Sequence, residues 1–232
     1  MPFPGATGKG LKIAIIDSGI NASHPHIVAR TSGVFLGAER NTSDAWEDGL
    51  GHGTAVAAAI QEKAPGAEYF AVKLFDKALT TTSNRLVQAI EWAIDSGMDL
   101  VNLSLGTSGL AARSVFESLI RRAESLGVIM ICARYENRNP MLPGILAGVV
   151  SVDVDWRLSR HAYRINEGEG DRYYLASGFP RPLPGVSPAR NLNGISFAVA
   201  NMTGFVARAC EQMTNRSMHD IHNALASGAS TT

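Results

Sequence analysis

Asn193-Gly194-Ile195-Ser196-Phe197-Ala198-Val199-Ala200-Asn201-Met202-Thr203-Gly204 decides how this chain folds. Asn-Gly is a turn signal, and the small and apolar run behind it predicts a buried helix that continues to Gln212. Such a helix needs a sheet to lie on. Strand-length apolar runs occur at residues 11–16, 69–75, 100–106, 128–133 and 147–154. Between them, helical periodicity marks residues 83–96, where Leu86, Val87, Ile90 and Ile94 repeat, and residues 111–126, where Val115, Leu119, Ile120 and Ala123 do. Strands alternating with helices at this spacing predict an α/β fold of three layers, a mostly parallel sheet with helices on both faces. A short helix over residues 217–226 closes the chain, and the whole of 1–232 is expected to be a single domain.

The helix start also places chemistry. Ser196 falls where unpaired N–H groups and the positive end of the helix dipole can hold a developing negative charge. A serine needs a base, and the base needs a group to orient it. Gly51-His52-Gly53-Thr54 opens a helix through Gln61 and sets His52 in its first turn. Ile15-Ile16-Asp17-Ser18-Gly19 sets Asp17 at the C-terminal end of a buried strand, where open parallel sheets build their sites. The order Asp17, His52, Ser196 is one of those in which such triads occur.

Four segments in order, Ile15-Ile16-Asp17-Ser18-Gly19-Ile20, Gly51-His52-Gly53-Thr54-Ala55-Val56-Ala57, Val101-Asn102-Leu103-Ser104-Leu105-Gly106 and Asn193-Gly194-Ile195-Ser196-Phe197-Ala198, resemble the subtilisin-like serine peptidases, or subtilases. The resemblance runs from about Leu11 to Cys210. It implies a serine endopeptidase in which Asp17, His52 and Ser196 are catalytic and Ser104, Leu105 and Gly106 bind substrate as an extended peptide. An exposed strand edge suits that role, since it pairs with any peptide backbone and leaves selectivity to pockets.

The chain departs from the family pattern at several points. Subtilases follow the strand equivalent to residues 128–133 with Gly-Asn, whose amide stabilises the oxyanion; here Arg134-Tyr135 stands there. Tyr135 or Asn137, or Asn139 if the loop is remodelled, is therefore the expected second oxyanion donor beside the Ser196 N–H, a contribution worth roughly 10²–10³ in turnover. Gly-Thr-Ser has become Gly194-Ile195-Ser196, and the usual proline of that helix is Ala200. His24-Pro25 is followed by His26 where many members carry an acid that helps to bind calcium, so no metal and no cofactor is expected. Three readings follow: a working endopeptidase, including a dedicated processing protease for a peptide precursor; an impaired subtilase-like module that binds peptides; and an acyl transferase using the same acyl-enzyme.

Composition narrows the partners. Lys plus Arg and Asp plus Glu both number 21, so no bulk charge favours nucleic acid or an anionic membrane. A peptide or protein substrate remains, and a further protein that completes the site is compatible. Residues 1–10 lack the apolar core of a secretory signal, and Cys132 and Cys210 sit in apolar settings as expected buried thiols, so a cytoplasmic location is expected. Residues 33–50 read as a surface loop, residues 155–192 as solvated hairpins or loops anchored by Tyr173 and Tyr174, and His219 and His222 as surface residues.

Overall fold

The structure, a computed structural model, describes residues 1–36, 45–75, 78–168, 171–187 and 190–230. Its main sheet comprises β1 (Lys12–Asp17), β2 (Thr31–Phe35), β3 (Glu68–Lys73), β4 (Leu100–Leu103), β5 (Ile129–Ala133), β8 (Val150–Val154), β9 (Tyr163–Gly168) and β10 (Asp171–Ala176). A separate two-stranded hairpin is formed by β6 (Tyr135–Glu136) and β7 (Asn139–Pro140). The strand order β2-β3-β1-β4-β5-β8-β10-β9 is parallel throughout except for β9, which runs antiparallel to β10.

Alternation along the strands feeds two cores. Ile13 and Ile15 of β1 join one cluster with Val56 and Ile60 of α1 (His52–Gln61), Val199 and Phe205 of α4 (Ile195–Glu211), and Ile221 of α5 (Met218–Gly228). Ala14 and Ile16 join the other, with Leu86 and Ile90 of α2 (Ser83–Asp95) and Leu119 and Ile120 of α3 (Arg113–Ser125). The expected three layers are therefore present. β3 lies on one side of β1 and β4 on the other, so the strand order reverses there and a crevice opens beyond the strands' C-terminal ends. No helix of the described residues is long and apolar enough to cross a membrane. Both cysteines are buried and free.

Two stretches differ from expectation. Thr31–Phe35 is a strand rather than the start of a surface loop; its side chains are only half-buried or exposed, so it carries no apolar run to betray it. The remainder of that expected loop, with Glu39 and Asp44, lies in part outside the described residues. β9 and β10 extend the main sheet, and the buried Tyr163 and Tyr174 pack them under α5. His222, expected on the surface, is half-buried, with Nδ1 hydrogen-bonded to the Tyr174 hydroxyl at 2.6 Å.

Lys63, just past α1, is wholly buried. Its Nζ donates to Asn201 Oδ1 at 2.6 Å and more weakly to Glu62 and the Ala59 carbonyl. Burial pushes its ammonium down to about 7, against the opposing pull of Glu62. In the unfolded chain a lysine titrates near 10.4, so between these values the unfolded state holds its proton at this site more tightly, and this group's contribution to stability rises with pH. From pH 7 to 8.5 this one group is expected to add on the order of 1–2 kcal/mol. Denaturant midpoints across that range, for the wild type and Lys63→Met, check it: the rise should vanish in the variant.

Candidate active site

Asp17 is the last residue of β1 and almost wholly buried. One of its oxygens, Oδ1, accepts the Ser18 N–H at 2.7 Å and lies 2.7 Å from His52 Nδ1. The contact requires the first turn of α1 to approach β1 very closely, and Gly53 makes that possible. A Cβ there would lie 2.2 Å from the Gly19 carbonyl oxygen and 3.2 Å from Asp17. Burial alone would lower the His52 basicity, but the Asp17 hydrogen bond and charge, with a contribution from Asp48, hold it above the ordinary value. A His52 whose Nδ1–H faces Asp17 keeps its Nε2 lone pair for a proton.

Asp48 was not legible as part of this arrangement. Its Oδ1 accepts from Ser18 Oγ, Leu50 N–H and Gly51 N–H at 2.8–2.9 Å. The other oxygen takes the N–H and the hydroxyl of Thr54 at 2.9 and 2.6 Å. Although Asp48 is partly desolvated, the bonds from Thr54, Leu50 and Gly51 keep its carboxyl below the usual range. It satisfies N–H groups at the start of α1 from four positions before the helix, outside the ordinary N-cap position, so a search for a capping residue passes over it.

Ser196 is the second residue of α4, after Gly194 as N-cap. Its N–H is therefore among those without an intrahelical partner. Its Oγ donates to the Ser104 carbonyl at 3.5 Å, and Ser104 Oγ donates to the Ser196 carbonyl at 3.4 Å. His52 stands over the neighbouring Phe197, ring centroids 5.7 Å apart. Asp17 and His52 are thus in hydrogen-bond contact, while the serine hydroxyl is turned to Ser104 rather than to His52. Buried Asn102 locks this junction: its amide donates to Ser104 Oγ at 3.0 Å and its carbonyl oxygen accepts from Thr203 of α4 at 3.0 Å.

Ser104, Leu105 and Gly106 continue past the last β4–β5 pair, Leu103 with Cys132. Among the described residues, none donates to or accepts from the backbone of Leu105 or Gly106. At Thr107 the chain pairs again, with Leu142. An unpaired backbone edge therefore lies next to Ser196.

Tyr135 and Asn137 lie on the β6–β7 hairpin. Asn137 and Arg138, at φ 50° and 67°, form its turn, and Asn137 is exposed at the tip. Tyr135 is half-buried, its ring 5.2 Å from the Arg134 guanidinium. Arg134 itself is held between Tyr135 and Tyr173 and bonded to Ser151 and Asp171, so its charge is committed to fastening the hairpin. Among the described residues, no group of three or more His, Cys, Asp or Glu side chains clusters as a metal site would.

A family model described as "Subtilase family" matches residues 8–142, more than half of the chain. Subtilisin E of Bacillus subtilis (strain 168) is 35% identical over 138 residues, covering 56% of this chain and 35% of that protein. Subtilisin Savinase of Lederbergia lenta is 30% identical over 233 residues, covering 95% of this chain and 84% of the other, so its likeness extends through the Ser196 helix. The chain thus matches about a third of the length of some curated relatives and most of another. Among solved structures, one titled a lanthipeptide protease superposes with a TM-score of 0.70 at 18% identity, covering 94% of this chain and 79% of that one.

Proposed function

This chain belongs to the subtilase family, and from that premise we propose that it hydrolyses peptide bonds through an acyl-enzyme on Ser196. The 2.7 Å contact between Asp17 and His52, set beside a serine at a helix N-terminus, carries the reading. The substrate lies along Ser104, Leu105 and Gly106 by backbone pairing. The Ser196 hydroxyl leaves its long bond to the Ser104 carbonyl and turns to His52; catalytic contacts are often loose before substrate binds. His52 takes the hydroxyl proton as Oγ bonds to the carbonyl carbon, then gives it to the leaving amine as the C–N bond breaks. Water repeats the sequence and releases the acid. Asp17 holds the imidazole tautomer and steadies the imidazolium.

The oxyanion is held by the Ser196 N–H and, on this proposal, by the Tyr135 hydroxyl. Asn137 is the weaker choice, because a donor at an exposed turn is worth little against water. The solved structure titled a lanthipeptide protease is a fold neighbour that acts on lanthipeptides, and a dedicated processing protease for a peptide substrate is the reading we favour by analogy with it. A second reading, a peptide-binding module without turnover, is favoured by one observation, the Ser196 hydroxyl resting on Ser104.

Mass spectrometry of a tryptic peptide library after incubation with the protein separates the two. New termini, formed with an acidic limb of kcat/KM above the ordinary histidine pKa of about 6.5, are expected, since only neutral His52 is a base and its basicity is raised. Binding without new termini would support the module.

A further inference from the structure

A cavity of about 560 Å³ opens beside the active site. Its walls come from the loop after β1, the first half of α1 and the segment that leads into Ser196. Gly51, next to His52, and Asn191 and Leu192, shortly before Ser196, line it; Ser104, Leu105 and Gly106 do not. Its position therefore lies on the His52 side of the serine, away from the unpaired edge. In acyl transfer the side of the substrate next to the general acid is the leaving amine, because His52 must hand it a proton. This cavity faces the residues after the scissile bond.

Basic side chains outnumber the one carboxylate, that of Asp48, in its lining. Arg181, Arg190, His24 and His26 all line it. Arg181 makes one long bond, to the His26 carbonyl at 3.4 Å, and the Arg190 side chain has no partner among the described residues. The acids at hand are already engaged: Asp48 by its five donors, and Glu62, behind the wall, by Arg160 and Lys63. Burial, then Arg181 and His24, lower the basicity of His26, against a smaller upward pull from Glu62. Two guanidiniums that touch no carboxylate of the described residues, beside a cavity wide enough for a side chain, form a receptor for an acid, since Arg binds carboxylates in a paired geometry.

We propose that this cavity selects an aspartate or glutamate in the segment that follows the scissile bond, with Arg181 and Arg190 as its ligands. The inference rests on the serine-peptidase reading for its direction along the substrate and on charge complementarity for its chemistry. Arg181 and Arg190 are specificity residues: they touch substrate away from the reacting atoms.

Sequencing the products of a synthetic peptide library of randomised sequence tests it. Acidic residues should be enriched about tenfold within the first few positions after the cut, the scale of one charged hydrogen bond. The double variant Arg181→Gln/Arg190→Gln should lose the enrichment, and Arg181→Glu/Arg190→Glu should turn it toward Lys and Arg. Cuts without acidic enrichment in the wild type overturn the inference and leave the peptidase reading standing. Where no library peptide is cut, binding decides. Fluorescein-labelled hexapeptides differing only as Glu or Gln are titrated against Ser196→Ala protein and read by anisotropy. A tenfold preference for Glu that fades with salt and with the Gln double variant sustains the cavity even if turnover fails. Equal binding of the two peptides overturns it.

Discussion

Replacing Ser196 with alanine is expected to lower kcat by about 10⁶, and His52→Ala by about as much, because on the proposed mechanism nucleophile and base act as one unit. The double variant should fall little further, which distinguishes such a unit from two additive contributions. Stability should barely change. The Ser196 hydroxyl makes a single bond of 3.5 Å, at the limit of hydrogen bonding, and its loss is worth less than about 1 kcal/mol. Steady-state kinetics beside thermal melts of each variant checks both halves. A Ser196→Ala protein that keeps wild-type turnover would remove the serine from the mechanism.

Asp17→Asn is expected to lower kcat by about 10⁴ with little change in KM. The reason lies at Oδ1, which accepts from both Ser18 N–H and His52 Nδ1. An amide keeps only one oxygen. If that oxygen stays with Ser18 and His52, the new NH2 replaces Oδ2, a buried atom that has no partner now. If the amide flips, its NH2 faces Nδ1, and His52 takes the tautomer whose proton sits on Nε2, unable to accept one from the serine. In either orientation the negative charge that steadied the imidazolium is gone. Folding should not suffer, because a buried carboxylate with one bare oxygen is replaced by a neutral group that is cheaper to bury. The melting temperature should hold or rise while activity collapses. Parallel loss of both would assign Asp17 to the fold instead.

Much of the fold was legible because the parallel sheet is buried on both faces. Its central strands therefore read as unbroken apolar runs, and the glycines at 97 and 127 mark where α2 and α3 stop. Thr31–Phe35 escaped because an edge strand with half-buried side chains carries no such run. In the candidate site, Asp17, His52 and Ser196 stand out since each occupies an element end, a position that local sequence announces. Contacts that run through space are not announced. Asp48 reaches Ser18 and Thr54 from a glycine-flanked turn, and Asn102 joins Ser104 to Thr203 across about a hundred residues of chain, a separation no local spacing encodes. The hairpin that carries Tyr135 was equally hidden. Its turn at Asn137-Arg138 lacks glycine, and half of its left-handed backbone falls on an arginine, which seldom adopts it.

The proposal that Ser196 is an activated nucleophile is tested most directly by intact mass after exposure to a fluorophosphonate probe, which bonds to a serine oxygen only where a base has raised its reactivity. One adduct on the wild type, displacing fluoride and absent from Ser196→Ala and His52→Ala, is the expected result. A wild-type protein that stays unlabelled, while its variants melt at the same temperature, would contradict the account and leave a subtilase fold that binds peptides without cutting them.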